Sequence, residues 1–595
     1  MRPGIQTNKF ASGLLFLGLC APLFGQMSFN GDLTTRFGDS KNGYNYSESI
    51  LNTFLAWKQY QAWMEYEYSQ PPELGQNFNG FRKLRLEYSQ GPLQVKAGDI
   101  YEIWGRGLVL NQFDDQLIDL DNGIRGVYLE YQRGRLEAKI LNGNGRLSRR
   151  TIEVAGFSDR KSNYSVRHQV FGSDLSFSGD NYSLGSSFLQ TRENHLLGIF
   201  MDDSVSLVHR IRSIRGEIYL PWMDGYIEYA DKTVHELDPF TGLPSQVNQG
   251  HGLYGNLNWY PGILSFSLDY KNYQFIELDP FYRWSTVSRY GGVIDFQNPP
   301  TVFREHTSVL LSRLTHQIDF NDELGFQLEM TSPLPGGANL LVNVSRSSRH
   351  CEWITTRDGF LYGWTSRKVE SLLPSDHPAA YPFQELYTEI EGFARDNRIH
   401  YRLGYGWMKD ISGLFFNIEG DTSLVNYEYK QALTIPTLLS WDFGNRYSIE
   451  VKWEFQTLWQ GFVLTTDTLG VRSTTRTSVF YKAEQVSAPF QHNRFFDISL
   501  SRSPAWSVSL LIDAVDAEEP PFHVSPENAL EKLISHLIPI DRKWIALETV
   551  FNINPRNRLT LMYGSQKGGL VCSNGVCRYV GAFDDGFKLS LTSIF

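Results

Sequence analysis

The sequence lacks most of what would mark a soluble enzyme, a nucleic-acid binder or a helical membrane protein. Of its four cysteines, Cys20 sits in an apolar stretch near the start, and Cys351, Cys572 and Cys577 lie far downstream. So few thiols fit an oxidising compartment with few disulfides. Beyond the first 25 residues there is no apolar run of about 18 residues, so no transmembrane helix is expected. Positive charge is in deficit, with 55 Lys and Arg against 65 Asp and Glu and a net charge of -10. No basic stripe or long like-charge run appears, so no nucleic-acid partner is expected. There is no Gly-x-Ser-x-Gly elbow, no His-Glu-x-x-His pair and no phosphate-binding loop, and the 13 histidines are scattered. The chain is therefore read as a non-enzyme that needs no cofactor. Linkers, low-complexity tracts and repeated sequence units are missing too.

What is present starts at the N-terminus. Arg2 and Lys9 precede an apolar stretch from Phe10 to Phe24, and Gly25-Gln26 offers a small residue before a polar one. This pattern reads as a secretory signal peptide over residues 1–25, cleaved to leave 26–595 as one exported domain. A lipoprotein reading of Cys20 is disfavoured by the bulky Leu19 before it.

Aromatic residues make up 14% of the chain, and glycine is common at 51. The governing signal is alternation of apolar and polar residues, repeated from end to end. Val127, Leu129 and Tyr131 alternate with Tyr128, Glu130 and Gln132; after Arg133-Gly134, Leu136, Ala138 and Ile140 alternate with Glu137 and Lys139. The same hairpin unit recurs at Leu84 to Ala97, Leu253 to Lys271 and Tyr447 to Phe455.

A soluble sandwich and a transmembrane barrel share this alternation. Four features favour the barrel. Tight turns (Gln90-Gly91-Pro92, Ser178-Gly179-Asp180, Pro261-Gly262, Arg395-Asp396-Asn397, Gly444-Asn445, Ser503-Pro504) alternate with long polar stretches such as 143–163, 277–305 and 347–381. Aromatics gather near predicted strand ends, at Trp222, Trp259, Tyr260, Trp407, Trp441, Phe443 and Trp544, as interfacial girdles would require. The chain ends with Phe587, Leu589, Leu591 and Phe595 on one face. That ending is similar to the terminal strand read by the barrel-assembly machinery, which is the partner expected during biogenesis. Finally, mid-strand charges fall on the polar face: Arg85, Glu87, Lys96, Glu130, Lys139, Arg215, Glu217, Arg402, Glu450 and Lys452 are expected to line the lumen.

The fold expected is all-β: one large antiparallel transmembrane barrel of about 22–26 strands, at roughly 10 residues per strand. Its surroundings would be outer-membrane lipid. The stretch from His306 to Arg346 resists a clean strand parity. One late loop breaks the pattern: Ser525-Pro526-Glu527, then Ala529, Leu530, Leu533, Ile534, Leu537 and Ile538, ended by Pro539, predicts an amphipathic helix over 526–538.

Two local features invite chemistry. Asp114, Asp115, Asp119 and Asp121 form an acidic loop that could offer oxygens to Ca²⁺. Their spacing is not that of an EF-hand, and a salt-bridged loop is the favoured reading. Asn574-Gly575 is a type I′ turn signal that sets Cys572 opposite Cys577, so a Cys572–Cys577 disulfide is expected, with Cys351 left over in a loop.

The most distinctive stretch is Gly98-Asp-Ile-Tyr101-Glu, then Gly105-Arg-Gly107-Leu108, then Asp121-Asn122-Gly-Ile-Arg125-Gly126. Gly105 and Gly107 suggest a bulge or a close backbone approach. This is not a dinucleotide fingerprint, because the third Gly and the following helix are missing. With Lys567-Gly-Gly-Leu-Val-Cys572-Ser-Asn-Gly-Val-Cys577-Arg578 near the other end, it resembles a family of uncharacterised Gram-negative outer-membrane β-barrels known only as a domain of unknown function. The resemblance covers the two ends, not the middle. It implies the fold and an outer-membrane location, and no activity. The sequence on its own points to a porin-like channel for polar solutes. The alternative is a non-conducting scaffold, or a secretion or assembly accessory, that binds partners through its long outer loops.

Overall fold

In a computed structural model of the chain, residues 27–149, 164–196, 204–238, 241–276, 293–358, 361–368, 371–415, 424–466, 477–480, 491–516, 542–573 and 576–595 are described. The expected signal peptide and the expected helix at 526–538 lie outside them.

Alternation becomes strand throughout. The barrel strands are β1 (Met27–Ser40), β2 (Tyr46–Trp57), β3 (Tyr60–Ser69), β4 (Phe78–Gln90), β5 (Leu93–Ile100), β6 (Ile124–Arg133), β7 (Leu136–Arg149) and β8 (Tyr164–Ser178). They continue with β9 (Tyr182–Leu196), β10 (Ser204–Leu220), β11 (Met223–Leu237), β12 (Pro244–Trp259), β13 (Ser265–Gln274), β14 (Asp322–Leu334), β15 (Ala338–Ser348) and β16 (Phe383–Ala394). The last are β17 (Ile399–Phe415), β18 (Leu424–Gly444), β19 (Tyr447–Thr466), β20 (Gln491–Arg502), β21 (Trp506–Asp516), β22 (Arg542–Asn554), β23 (Asn557–Gln566) and β24 (Phe583–Ile594). Each pairs antiparallel with its neighbours in sequence, and β1 pairs with β24 from Asp32↔Ile594 to Ser40↔Gly586. The result is one closed barrel of 24 strands, within the range expected from the sequence. Closure matters because lipid offers no hydrogen bonds to a free sheet edge.

Every even-numbered strand meets the next odd one through a turn of two (58–59) to five (260–264) residues, at the end where the chain termini also lie. That is the periplasmic end of an outer-membrane barrel. The longer connections leave from the other end. Along each strand one parity faces lipid and the other the lumen: Val127 is 54% exposed while Tyr128, beside it, is fully buried. Trp222, Trp259, Tyr260, Trp441 and Phe443 stand exposed near the periplasmic turns, as a girdle would. Two of the expected girdle residues do not. Trp407 lies in the middle of β17, and Trp544 is buried at the outer end of β22 under the ammonium of Lys567.

Two of the long polar stretches expected to be outer loops contain strand. β7 runs on to Arg149, and a hairpin of Cys351–Asp358 with Leu361–Lys368 projects between β15 and β16. Cys351 is accordingly buried at the base of this hairpin rather than left in a loop. Between β23 and β24 a second hairpin sets Cys572 directly opposite Cys577 in its backbone register.

Candidate functional site

The lumen is not empty. Residues 101–123, between β5 and β6, and residues 293–321, before β14, fold back inside the barrel.

The first segment enters through the two glycines. Gly105 has φ +59°, and a Cβ there would stand 2.5 Å from a Glu228 carboxylate oxygen, so only glycine permits the approach. The next amide, Arg106 N–H, donates to Glu228 at 2.9 Å, and Tyr226 Oη donates to the same carboxylate at 2.5 Å. Glu228 lies on β11 five residues from its periplasmic end at Met223, so this loop reaches deep. Gly107, at φ +88°, makes the same kind of approach to the Asn298 carbonyl of the second segment. The close backbone contact expected at these two glycines is therefore with the barrel wall at one and with another loop at the other. Trp104, Leu108, Val109 and Leu110 are fully buried or nearly so in an apolar cluster with Tyr128, Val170, Ile211, Tyr273 and Phe296.

The second segment docks on the first and then crosses to the far wall. Asn111 N–H donates to the Phe296 carbonyl at 2.7 Å, Gln297 Nε2 to the Leu108 carbonyl at 2.8 Å, and Lys232 Nζ to Gln297 Oε1 at 2.8 Å. Tyr273 Oη donates to the Pro300 carbonyl at 3.0 Å. Beyond Val302 the contacts change character. Arg304 pairs with Glu329, His306 with Glu385 at 2.6 Å, Arg313 with Asp513, and Asp319 with Arg349 at 2.8 Å. A single helical turn, Val309–Ser312, points its first amides at the barrel wall: Val309 and Leu310 N–H donate to the Glu454 carboxylate at 2.8 and 2.7 Å. His316, at the outer rim, lies between Asp410 at 3.2 Å and Glu323 at 3.1 Å and stacks on Phe383. Burial alone would lower its pKa, but the two carboxylates outweigh it and raise it to about 9.

The ten charged residues expected to line the lumen lie on the inward parity of their strands. Most are engaged with neighbours there: Arg85 with Glu87 at 2.6 Å, Lys96 with Glu102 at 2.5 Å, Lys139 with Glu137 at 3.2 Å, and Arg215 with Asp174 at 2.7 Å. Glu130 accepts from Tyr128, Glu217 from Tyr219, Arg402 donates to Thr307 of the second segment, and Lys452 lies 3.1 Å from Glu450. The acidic loop is drawn to Lys83, which is buried against Asp114, Glu65 and Asp121. Asp121 also accepts from Tyr101 Oη at 2.8 Å, Asp115 caps the Leu117 amide, and Asp119 packs beside Gly75. Among the described residues no group of His, Cys, Asp or Glu is arranged to hold a metal ion.

The wall residues that grip the two segments, chiefly Glu228, Glu454, Asp410 and Glu323, are not distinguished in the sequence from other lumen-facing charges. Their partners lie far away in the chain: Arg106 is 122 residues from Glu228, and Val309 is 145 from Glu454.

No curated protein matches the sequence. Among solved structures, the siderophore receptor PirA from Pseudomonas aeruginosa aligns over 95% of this chain and 80% of its own at 8% identity, with a TM-score of 0.43. The FrpB iron transporter from Neisseria meningitidis aligns over 97% and 83% at 8% identity, with a TM-score of 0.41. The sequence profile of a family of unknown function, DUF6029, matches residues 26–348 and 500–595. These two stretches contain both distinctive blocks and the strands that close the barrel, and they cover well over half of the sequence. The chain thus belongs to DUF6029, a family of unknown function.

Proposed function

We propose that this outer-membrane barrel is a gated, porin-like conduit for polar solutes, closed at rest by residues 303–321. The observation that supports the reading is the contrast between the two ways its lumen is filled. Residues 101–123 and 293–302 share an apolar cluster with the β5–β13 wall and are tied to each other by backbone hydrogen bonds. Residues 303–321 are held to the opposite wall largely by ion pairs and charge-assisted hydrogen bonds, with a smaller apolar patch around Phe303, Phe383 and Met408. Several of these contacts need a protonated histidine, at His306 and His316, so a change of pH weakens this attachment while leaving an apolar cluster intact. Once released, it would leave a passage lined with charges of both signs, suited to small polar solutes.

A second reading has its own support. The apolar cluster rigidly fills one side of the lumen, as suits a non-conducting scaffold that presents its outer loops to partners. Planar-bilayer conductance separates the two. The unmodified protein is expected to give rare or small steps. A variant with residues 304–320 replaced by a short Gly-Ser linker is expected to give steady ohmic steps several-fold larger. Silence from that variant, once its folded gel mobility is verified, would overturn the conduit and leave the scaffold.

A further inference from the structure

The lipid-facing wall changes chemistry along β6–β10. Starting from the periplasmic turns, the outward parity carries Leu136 and Ile140 on β7, Phe171 and Leu175 on β8, Leu184 on β9 and Ile214 on β10, all exposed. Further along the same parity come Arg125, Arg146, Arg167, Arg192, Arg210 and Arg212. Each lies about 10 residues from the periplasmic end of its strand, the length a tilted strand needs to cross the hydrocarbon layer. These guanidinium groups therefore stand level with the headgroups of the outer leaflet.

Arg146 and Arg167 are directly opposed across β7 and β8, and Arg192 faces Gln169 across β8 and β9. Like charges directly opposed on one sheet face are destabilising without a counter-anion. Among the described residues Arg146, Arg167 and Arg212 meet no carboxylate. Arg125 is paired with Asp99 at 2.8 Å, Arg192 donates to Ser206 Oγ at 3.0 Å and Arg210 to Gln190 at 3.2 Å. At the outer rim a cleft of about 1040 Å³ is lined by Arg82, Arg125, Arg146, Arg167 and Arg192, with the carboxylates of Asp99, Asp119 and Asp121 among them. Asp121 is already engaged by Tyr101. The whole chain has a net charge of -10, so composition does not account for this cluster. Snorkelling cations that merely mark the interface have no reason to gather on five adjacent strands.

We propose that this arginine surface binds the phosphate groups of the glycolipid in the outer leaflet. The planar guanidinium fork matches a phosphate bidentately, and the fatty acyl chains would lie on the apolar band below. This binding is independent of whether the lumen conducts.

The test uses the purified full-length barrel in neutral detergent and reads the temperature at which it loses folded gel mobility. Diphosphorylated lipid A is expected to raise that temperature. Dephosphorylated lipid A and inorganic phosphate at the same concentration are expected to leave it unchanged. Arg146→Gln with Arg167→Gln is expected to need roughly tenfold more diphosphorylated lipid for half the shift, whereas Lys409→Gln on the far wall is expected to behave as the unmodified protein. Equal shifts from both lipids overturn the proposal, as does an undiminished response in the double variant. A full shift from inorganic phosphate alone overturns the lipid as its source. Should the double variant not fold, the comparison of the two lipids on the unmodified protein still decides.

Discussion

At the scale of single residues, the lumen is built from charges that would be costly if left alone. Lys83 is buried, and it is tolerable there because three carboxylates surround it. Glu454 is the clearest case of a wall residue acting on a loop, since its carboxylate takes the first two amides of the Val309–Ser312 turn. Truncating it leaves the buried Leu310 amide and the half-buried Val309 amide unpaired, where a fully buried donor costs about 1–3 kcal/mol. Glu454→Ala is therefore expected to loosen residues 303–321 by ~2 kcal/mol, or roughly thirtyfold in the opened population, while the strands stay paired. Trypsin cleavage at Arg304 and Arg313 of the folded, gel-shifted protein measures it. An unchanged cleavage rate would show that the contact does not hold the segment. The sequence could mark Gly105 and Gly107 as sites of close backbone approach, because glycine has few other reasons to recur in that motif. It could not mark Glu454, because an inward glutamate looks the same whether it meets water or a loop.

At the scale of elements, strands were legible and the inserted loops were not. A strand writes its environment locally, in a period of two, and each turn announces itself with Gly, Pro or Asn. Residues 303–321 have no such local record. Pro299 and Pro300 exclude regular pairing, and Leu310, Leu311 and Leu314 give only one helical turn, with its apolar side against the wall. The failure of strand parity after His306 is this segment, which stays off the sheet until β14 begins at Asp322. Its attachment at the outer rim carries a pH dependence. His316 is raised to about 9 by Asp410 and Glu323 against the effect of burial. Lys271 also faces Glu323 at 3.0 Å, and Arg349 faces Asp319. A histidine whose pKa rises on folding contributes stability that is complete below its unfolded value of about 6.5 and is lost as pH rises through the folded one. The temperature at which folded gel mobility is lost is therefore expected to fall between pH 7 and 10. In His316→Gln that part of the fall should disappear. A pH profile identical in the two proteins would show that His316 does not fasten the segment.

At the scale of the whole molecule, closure is what turns a run of hairpins into a membrane protein. It was legible because the last strand presents Phe587, Leu589, Leu591 and Phe595 on one face, the face that meets lipid next to β1. The seam is longer than its ladder. Gly31 N–H donates to the Phe595 carbonyl at 3.0 Å, Phe595 N–H returns to the Gly31 carbonyl at 2.9 Å, and the Phe595 ring lies 5.7 Å from that of Phe29. These contacts sit at the periplasmic rim, where the first and last strands would fray first. An unpaired backbone group facing hydrocarbon costs several kcal/mol, while one at the rim can still reach water. Deleting Phe595 is thus expected to leave a closed barrel that loses its folded gel mobility a few degrees lower. Removing residues 586–595 frees an edge of β1 and one of β23 within the membrane, and should leave no heat-modifiable species at all. A folded, gel-shifted product from the longer truncation would mean that neighbouring strands can close the sheet without β24, and that 24 strands are not what this sequence requires.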